Sequence, residues 1–345
     1  MRKRHYTVVS CEGGDQFGKG DAILTFRNKF LNKGVSITYS SFPMYATPFG
    51  TCIRKFLNYG MEVFKFNPKR ELKIKMALYA LNRLEFLDIV LTDVIFKRTL
   101  ILLDRSPFSN AVTLAYGIVN IEKFSKKEIR EYIEYAFWLE KLMIRKLKLK
   151  DCVVQMIALN NSWNNLREGG QKDINENIDI QTMTEKTYDL YQDEVGEGWK
   201  KIVTKMDEGW ADREDIFKDI YNFVVSRYGE FNLEVFPKDL SVNVEEVIKN
   251  SYPGANVKKI DIKNYMEALV NNKKDKMYVY SIKIGEQIAS STDDFLIQDK
   301  EVQKNFYRIL KDLPEIYTVL EEYLNDDFSK LVKKSVQKWG KKKKQ

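Results

Sequence analysis

Histidine is almost missing from this chain, with one in 345 residues. That nearly excludes catalysis or metal binding built on imidazole. Cysteine is scarce as well. Cys11, Cys52 and Cys152 are odd in number, far apart and without metal-ligand spacing, so they fit buried thiols in a reducing cytoplasm rather than disulfides or zinc. No apolar run approaches a membrane span, and the charged start MRKRH leads into a strand-like segment instead of a signal-peptide core. Repeats are absent, and the one low-complexity segment is a lysine-rich end. Residues 331–345 hold seven lysines and no acid, so the formal charge of +8 falls to about +1 for the rest of the chain. A nearly neutral body argues against nucleic-acid binding. Lys341 to Lys344 could meet a polyanion, but a solvated, frayed terminus is the preferred reading.

What is present is a globular composition. Apolar residues make up 44% and aromatics 13%, enough for a sizeable core, and the length suits two domains. Thr7 to Val9 is a short β-branched run that reads as a buried strand. It opens into SCEGGDQFGKGD, Ser10 to Asp21, after which Ala22, Ile23, Phe26, Phe30 and Leu31 fall on one helical face. Strand, GxxxxGK loop and helix together form a phosphate cradle. Gly13, Gly14 and Gly18 let backbone N–H groups approach phosphates, the helix N-terminus favours negative charge, and Lys19 adds a point charge. The Ser or Thr expected after the lysine, whose hydroxyl helps hold Mg²⁺, is replaced by Gly20.

Further along, Val35 to Ser41 reads as a second strand, followed by Phe42-Pro43 and a helix over 51–57. A long helix is expected over 71–96, then the apolar strand Thr99 to Leu103 ending in Asp104-Arg105. A helix over 125–147, a strand over 152–159, a polar loop over 160–177, a helix over 181–195, a last strand over 200–203 and a helix over 213–227 complete the unit. Alternation at this spacing predicts an α/β three-layer fold with a parallel sheet, its ligands at the carboxyl ends of the strands. Beyond about residue 230 arginine almost vanishes, leaving Arg308 alone. Segments 231–236, 257–262 and 277–284 read as strands, and 301–313 and 315–339 as helices. The expected organisation is a first domain over 1–229, a smaller α+β domain over 230–330 and a tail over 331–345.

Three constellations carry chemistry. Asp104 ends an apolar strand, where a carboxylate reaches Mg²⁺ directly or through water. Arg105 is expected to point to the opposite face, where its bidentate fork suits a phosphate. Tyr79 and Arg83 lie four apart on one helix face, either as a surface aromatic–cation pair or as a ring to stack on a base with an arginine to read its edge. Arg167 to Glu176, with its glycines and basic groups, suits a mobile cover over a transferring phosphoryl group as well as it suits a solvated loop.

In register, these pieces resemble thymidylate kinases, which phosphorylate dTMP from ATP. CEGGDQFGKG is similar to the family's FEGxDGxGKS loop, SFPMYATPFGTCIRKFL to its FP and TPxGxxIRxxL segment, LYALNRLE to its AxNRWE helix, LLDRSPFSN to its DR(Y/F)xxSN segment, and the stretch from Arg167 to Glu176 to its lid. The resemblance covers residues 5–228. It implies a P-loop kinase fold, ATP and Mg²⁺ as cofactors, dTMP or dUMP as acceptor, and a homodimer without membrane attachment. It places Gly13, Gly14, Gly18, Lys19, Gly20 and Asp21 at the ATP phosphates and Asp15 at the acceptor 3′-hydroxyl. Phe42, Tyr79, Arg83 and Arg105 fall at the acceptor, Asp104 near Mg²⁺, and Arg167 in the lid. Departures are Gly20, Ile174 at the lid's second arginine position, Gln16 and Phe17 in the loop, and Ser106 where an aromatic is usual. They motivate an alternative, a kinase-derived nucleotide-binding protein that acts as sensor or scaffold through its C-terminal domain.

Overall fold

A computed structural model describes residues 6–14, 17–31, 37–45, 47–59, 66–91, 99–121, 124–159, 178–206, 209–228, 297, 299–324 and 326–342. Strands β1 (Tyr6–Gly13), β2 (Ile37–Ser41), β3 (Thr99–Asp104), β4 (Val153–Ala158), β5 (Trp199–Met206) and β6 (Gly209–Trp210) form one sheet in the order β2-β3-β1-β4-β5-β6. The first five are parallel, and the two-residue β6 returns antiparallel on β5. The helices of this unit are α1 (Lys19–Leu31), α2 (Pro48–Tyr59), α3 (Pro68–Ile89), α4 (Asn110–Asn120), α5 (Lys126–Leu147), α6 (Ile178–Val195) and α7 (Arg213–Tyr228). A glycine-rich loop leaves β1, with β3 and β4 as its neighbours. This is the three-layer α/β fold with a parallel sheet that the sequence predicts.

Alternation along the strands divides the core. Val9, Cys11, Leu100, Leu102, Val154 and Met156 face α1 and α7. Val8, Ile101, Leu103 and Val153 face the layer containing α2, α3 and α5. Both faces are covered, so each strand reads as an apolar run. Local signals set the helix starts. Ser125 caps α5 in a reciprocal box with Glu128, and Asn67 caps α3 just before Pro68.

The structure adds two elements that sequence reasoning missed. One is α4, whose NAVTLAYGIVN is apolar around most of its circumference and so lacks a helical stripe. The other is β6.

After residue 296 the described chain is helical: α8 (Lys300–Asp312), α9 (Ile316–Tyr323) and α10 (Asp326–Lys342). The single helix expected over 315–339 breaks at Leu324, which is extended at φ −106° and ψ 165°. Asn325-Asp326-Asp327 there favours a helix start over a continuation. The strands expected at 231–236, 257–262 and 277–284 lie outside the described residues. The three helices pack onto α2, α3 and α5 and bury Val302, Phe306, Ile309, Leu310, Ile316, Val319 and Leu320 in the same core. Phe306 meets Phe49 edge-on at 5.4 Å. Polar contacts frame the seam: Arg70 pairs with Glu315 at 2.7 Å, Lys55 donates to the Tyr323 carbonyl at 2.6 Å, and the Asp299 N–H donates to Asp88 at 2.6 Å.

Candidate active site

The site lies where β1 and β3 end side by side. Their register pairs Cys11 with Asp104, and one residue further the Arg105 N–H donates to the Cys11 carbonyl at 2.8 Å. β1 runs on into Gly13, at φ +139°, where an added Cβ would stand 2.6 Å from the Met156 carbonyl oxygen. A side chain there would require β4 to move, so the loop's entry demands glycine. Gly18, at φ +72°, is equally restricted, since its Cβ would come within 2.7 Å of the Trp210 ring.

Lys19, the first residue of α1, turns its ammonium to Asp104 Oδ1 at 3.2 Å, with both side chains largely buried. The Tyr39 and Ser41 hydroxyls approach the other carboxylate oxygen at 3.4 and 3.2 Å. Burial pushes the Asp104 carboxyl up, but the Lys19 ammonium and the Arg105 guanidinium outweigh it and hold the carboxyl below its ordinary value. Asp104 is therefore an anion at neutral pH. Among the described residues no cluster of three or more acidic, cysteine or histidine side chains could hold a metal ion. Mg²⁺ in phosphoryl-transfer sites takes one or two carboxylates and fills its octahedron from phosphates and water. A single ionised carboxylate beside the glycine-rich loop fits that donor set.

Arg105 sits at φ +67°, a left-handed conformation that costs a non-glycine residue about 1–2 kcal/mol. The next residue explains how the turn is held. Ser106, a departure from the kinase pattern, donates to Glu12 at 2.6 Å, and Glu12 also accepts from Ser109 and from Tyr188 of α6 at 2.9 Å.

On α3, Tyr79 is half-buried, edge-on to Phe56 at 5.9 Å, with the Arg83 guanidinium 6.0 Å from its ring centroid. The reading as a surface pair is excluded, because Arg83 is 2% exposed. Its Nε donates to Glu140 at 2.8 Å, and Asn110 donates to the same oxygen at 3.3 Å. Arg83 is thus anchored in a buried ion pair. Phe42 is buried edge-on to Phe86 at 5.4 Å, and its N–H donates to the Asp104 carbonyl at 2.9 Å.

Asp21 is exposed and pairs with Arg213 of α7 at 3.0 Å. Gly20 faces open space, where an added Cβ would meet nothing within 4 Å. Asp15, Arg167 and Ile174 lie outside the described residues.

Asn82 escaped the sequence reading. Its carbonyl oxygen accepts from the Met44 N–H at 2.8 Å, and its amide donates to Thr47 at 2.7 Å and Glu85 at 3.0 Å. These bonds tie α3 to the segment after Phe42-Pro43. The Asn in LYALNRLE was the available signal. Burial pushes the Glu85 carboxyl up to about 7, against the hydrogen bonds from Thr47, Asn82 and the Phe49 N–H that favour its charged form. A carboxyl raised in the folded state contributes stability that is full below its unfolded value of 4.5 and is lost as pH rises through about 7. Melting temperature is expected to fall between pH 5 and 8, and Glu85→Gln to flatten that slope. A slope unchanged in the variant would assign the dependence elsewhere.

No family model and no curated protein matches this chain. Among solved structures it is similar to a thymidylate kinase from Candida albicans, at 17% identity and a TM-score of 0.47 over 66% of this chain and 93% of that one.

Proposed function

We propose that this protein is a nucleoside monophosphate kinase that moves the ATP γ-phosphate to dTMP or dUMP. The observation that carries the reading is the ion pair between Lys19 on the phosphate loop's helix and Asp104 at the end of β3, with Arg105 beside it in a left-handed turn. A cation for the donor phosphates, a carboxylate for the metal shell and a guanidinium for the acceptor phosphate thus converge at the carboxyl edge of one sheet. Mg²⁺ supplies charge neutralisation of the transferring phosphoryl group. The acceptor oxygen attacks the γ-phosphorus in line, so the protein's part is positioning and electrostatics rather than base chemistry. Asp15 and Arg167 belong to the reading as acceptor and lid residues. In this reading Tyr79 stacks on the pyrimidine, and Arg83, held by Glu140 and 6.0 Å from that ring, lies beside it at the acceptor. One methyl separates the two acceptors, a difference worth only about 1–3 kcal/mol in a pocket.

The second reading, a nucleotide-binding protein without turnover, rests on Gly20, which brings no hydroxyl to the position after Lys19, and on the pairing of Asp21 with Arg213. Titration calorimetry separates the two. Nucleotide binding with ADP release supports the kinase, and tight binding without turnover supports the sensor. Since the space at Gly20 is open, Gly20→Ser is expected to fold and to lower the Mg²⁺ concentration needed for half-maximal nucleotide binding by about tenfold, the worth of one metal-shell contact. An unchanged Mg²⁺ requirement would show that the hydroxyl has no role here.

A further inference from the structure

Two successive residues near the carboxyl end of β1 are bonded to the two residues that follow β3. The Arg105 N–H donates to the Cys11 carbonyl, and the Ser106 hydroxyl donates to the Glu12 carboxylate. Glu12 is 0% exposed and lies directly before Gly13 of the phosphate loop. A carboxyl this deep needs its oxygens satisfied, and three hydroxyls from two places do so: Ser106 and Ser109 of the turn after β3, and Tyr188 of α6. Tyr188 is itself 0% exposed.

We propose that Glu12 is a positioning residue for Arg105. By gathering Ser106, Ser109 and Tyr188 onto one buried carboxylate, it locks the left-handed turn at Arg105 in register with the phosphate loop. The guanidinium is thereby held where an acceptor phosphate would sit relative to the donor. Releasing any of these bonds lets Arg105 relax towards an ordinary backbone conformation and swings its side chain away from the sheet edge. The effect falls on the acceptor alone, since the loop glycines and Lys19 take no part in the network. This inference rests on the kinase reading.

The test uses the full chain with Tyr188→Phe and Ser109→Ala, each of which removes one hydroxyl and little volume. Calorimetry with dTMP, and separately with a non-hydrolysable ATP analogue, reads the two subsites. Each variant is expected to fold, to weaken dTMP binding about tenfold, as loss of a hydrogen bond to a charged group does, and to leave the ATP analogue within about twofold. Tyr188→Phe combined with Ser109→Ala is expected to weaken dTMP binding further. Unchanged dTMP affinity in both variants would overturn the inference, as would equal loss for dTMP and the ATP analogue, the mark of a purely structural role. A wild-type chain that binds no nucleoside monophosphate would refute the kinase reading before any variant is made, and the inference with it.

Discussion

Lys19→Ala is expected to lower ADP release about 10²–10³-fold at saturating ATP, the loss that follows removal of one preorganised charge from a transition state. The structure attaches a second consequence. Lys19 is the cation 3.2 Å from Asp104, whose side chain is only 15% exposed. Removing it leaves a mostly buried carboxylate short of a partner, at a cost of about 1–3 kcal/mol. The sign of the pH dependence follows from the depressed carboxyl. In the wild type, Asp104 contributes stability above its unfolded value of 3.8 and loses it as pH falls through the lower folded value. In Lys19→Ala that carboxyl moves up, so the deficit is greatest near neutral pH and shrinks as the solution approaches pH 4. Denaturant melts from pH 4 to 8 measure this. Lys19→Met combined with Asp104→Asn should regain most of the stability and none of the turnover. If the double variant recovered activity, both side chains would be structural.

A larger effect on the fold is expected at Phe306. Its side chain is fully buried beside Phe49 of α2 and Tyr307, in a core shared with α3 and α5. Phe306→Ala should cost about 3–5 kcal/mol, a large share of the stability of an ordinary domain. Phe306→Asp adds an unpaired buried charge and should prevent cooperative folding altogether. Because α8 to α10 cover apolar surface of α2 and α3, ending the chain at residue 296 should expose Phe49 and yield a soft, dye-binding state. Near-UV circular dichroism and melting curves test this. A truncated chain with native melting behaviour would show that α2 and α3 do not need their cover. The result matters for function, since α3 carries Tyr79 and Arg83 and α2 follows the Phe42 segment.

The parts of this fold that were legible in the sequence are those with local causes. Strands buried on both faces announce themselves as apolar runs, as at Thr99 to Leu103, and the glycines around Lys19 mark a loop whose backbone must approach a neighbour. Asp104 and Arg105 could be placed because a strand end is a local feature with a known chemical meaning. What escaped depends on partners distant in sequence. Glu12 meets Ser109 across 97 residues and Tyr188 across 176, and Arg83 meets Glu140 across 57. Read alone, Arg83 is a cation on a helix face, and only the fold supplies the anion that buries it. Ser106 looked like a departure from a pattern, yet its hydroxyl is one of the three that hold Glu12. Helix α4 stayed hidden because a helix buried on nearly all sides carries no stripe. The cover of α2 and α3 by the C-terminal helices was likewise unreadable, since an amphipathic face does not name the face it will meet.

The central claim is that the edge formed by Lys19, Asp104 and Arg105 transfers phosphate to a pyrimidine deoxynucleotide. The most direct measurement is coupled ADP release by the full chain across a panel of deoxynucleoside monophosphates, with Mg²⁺ and again with Mn²⁺. The account predicts turnover with dTMP or dUMP, little with purine acceptors, and the same loss of about 10²–10³-fold for Lys19→Ala. Absence of turnover with every acceptor and either metal would contradict it.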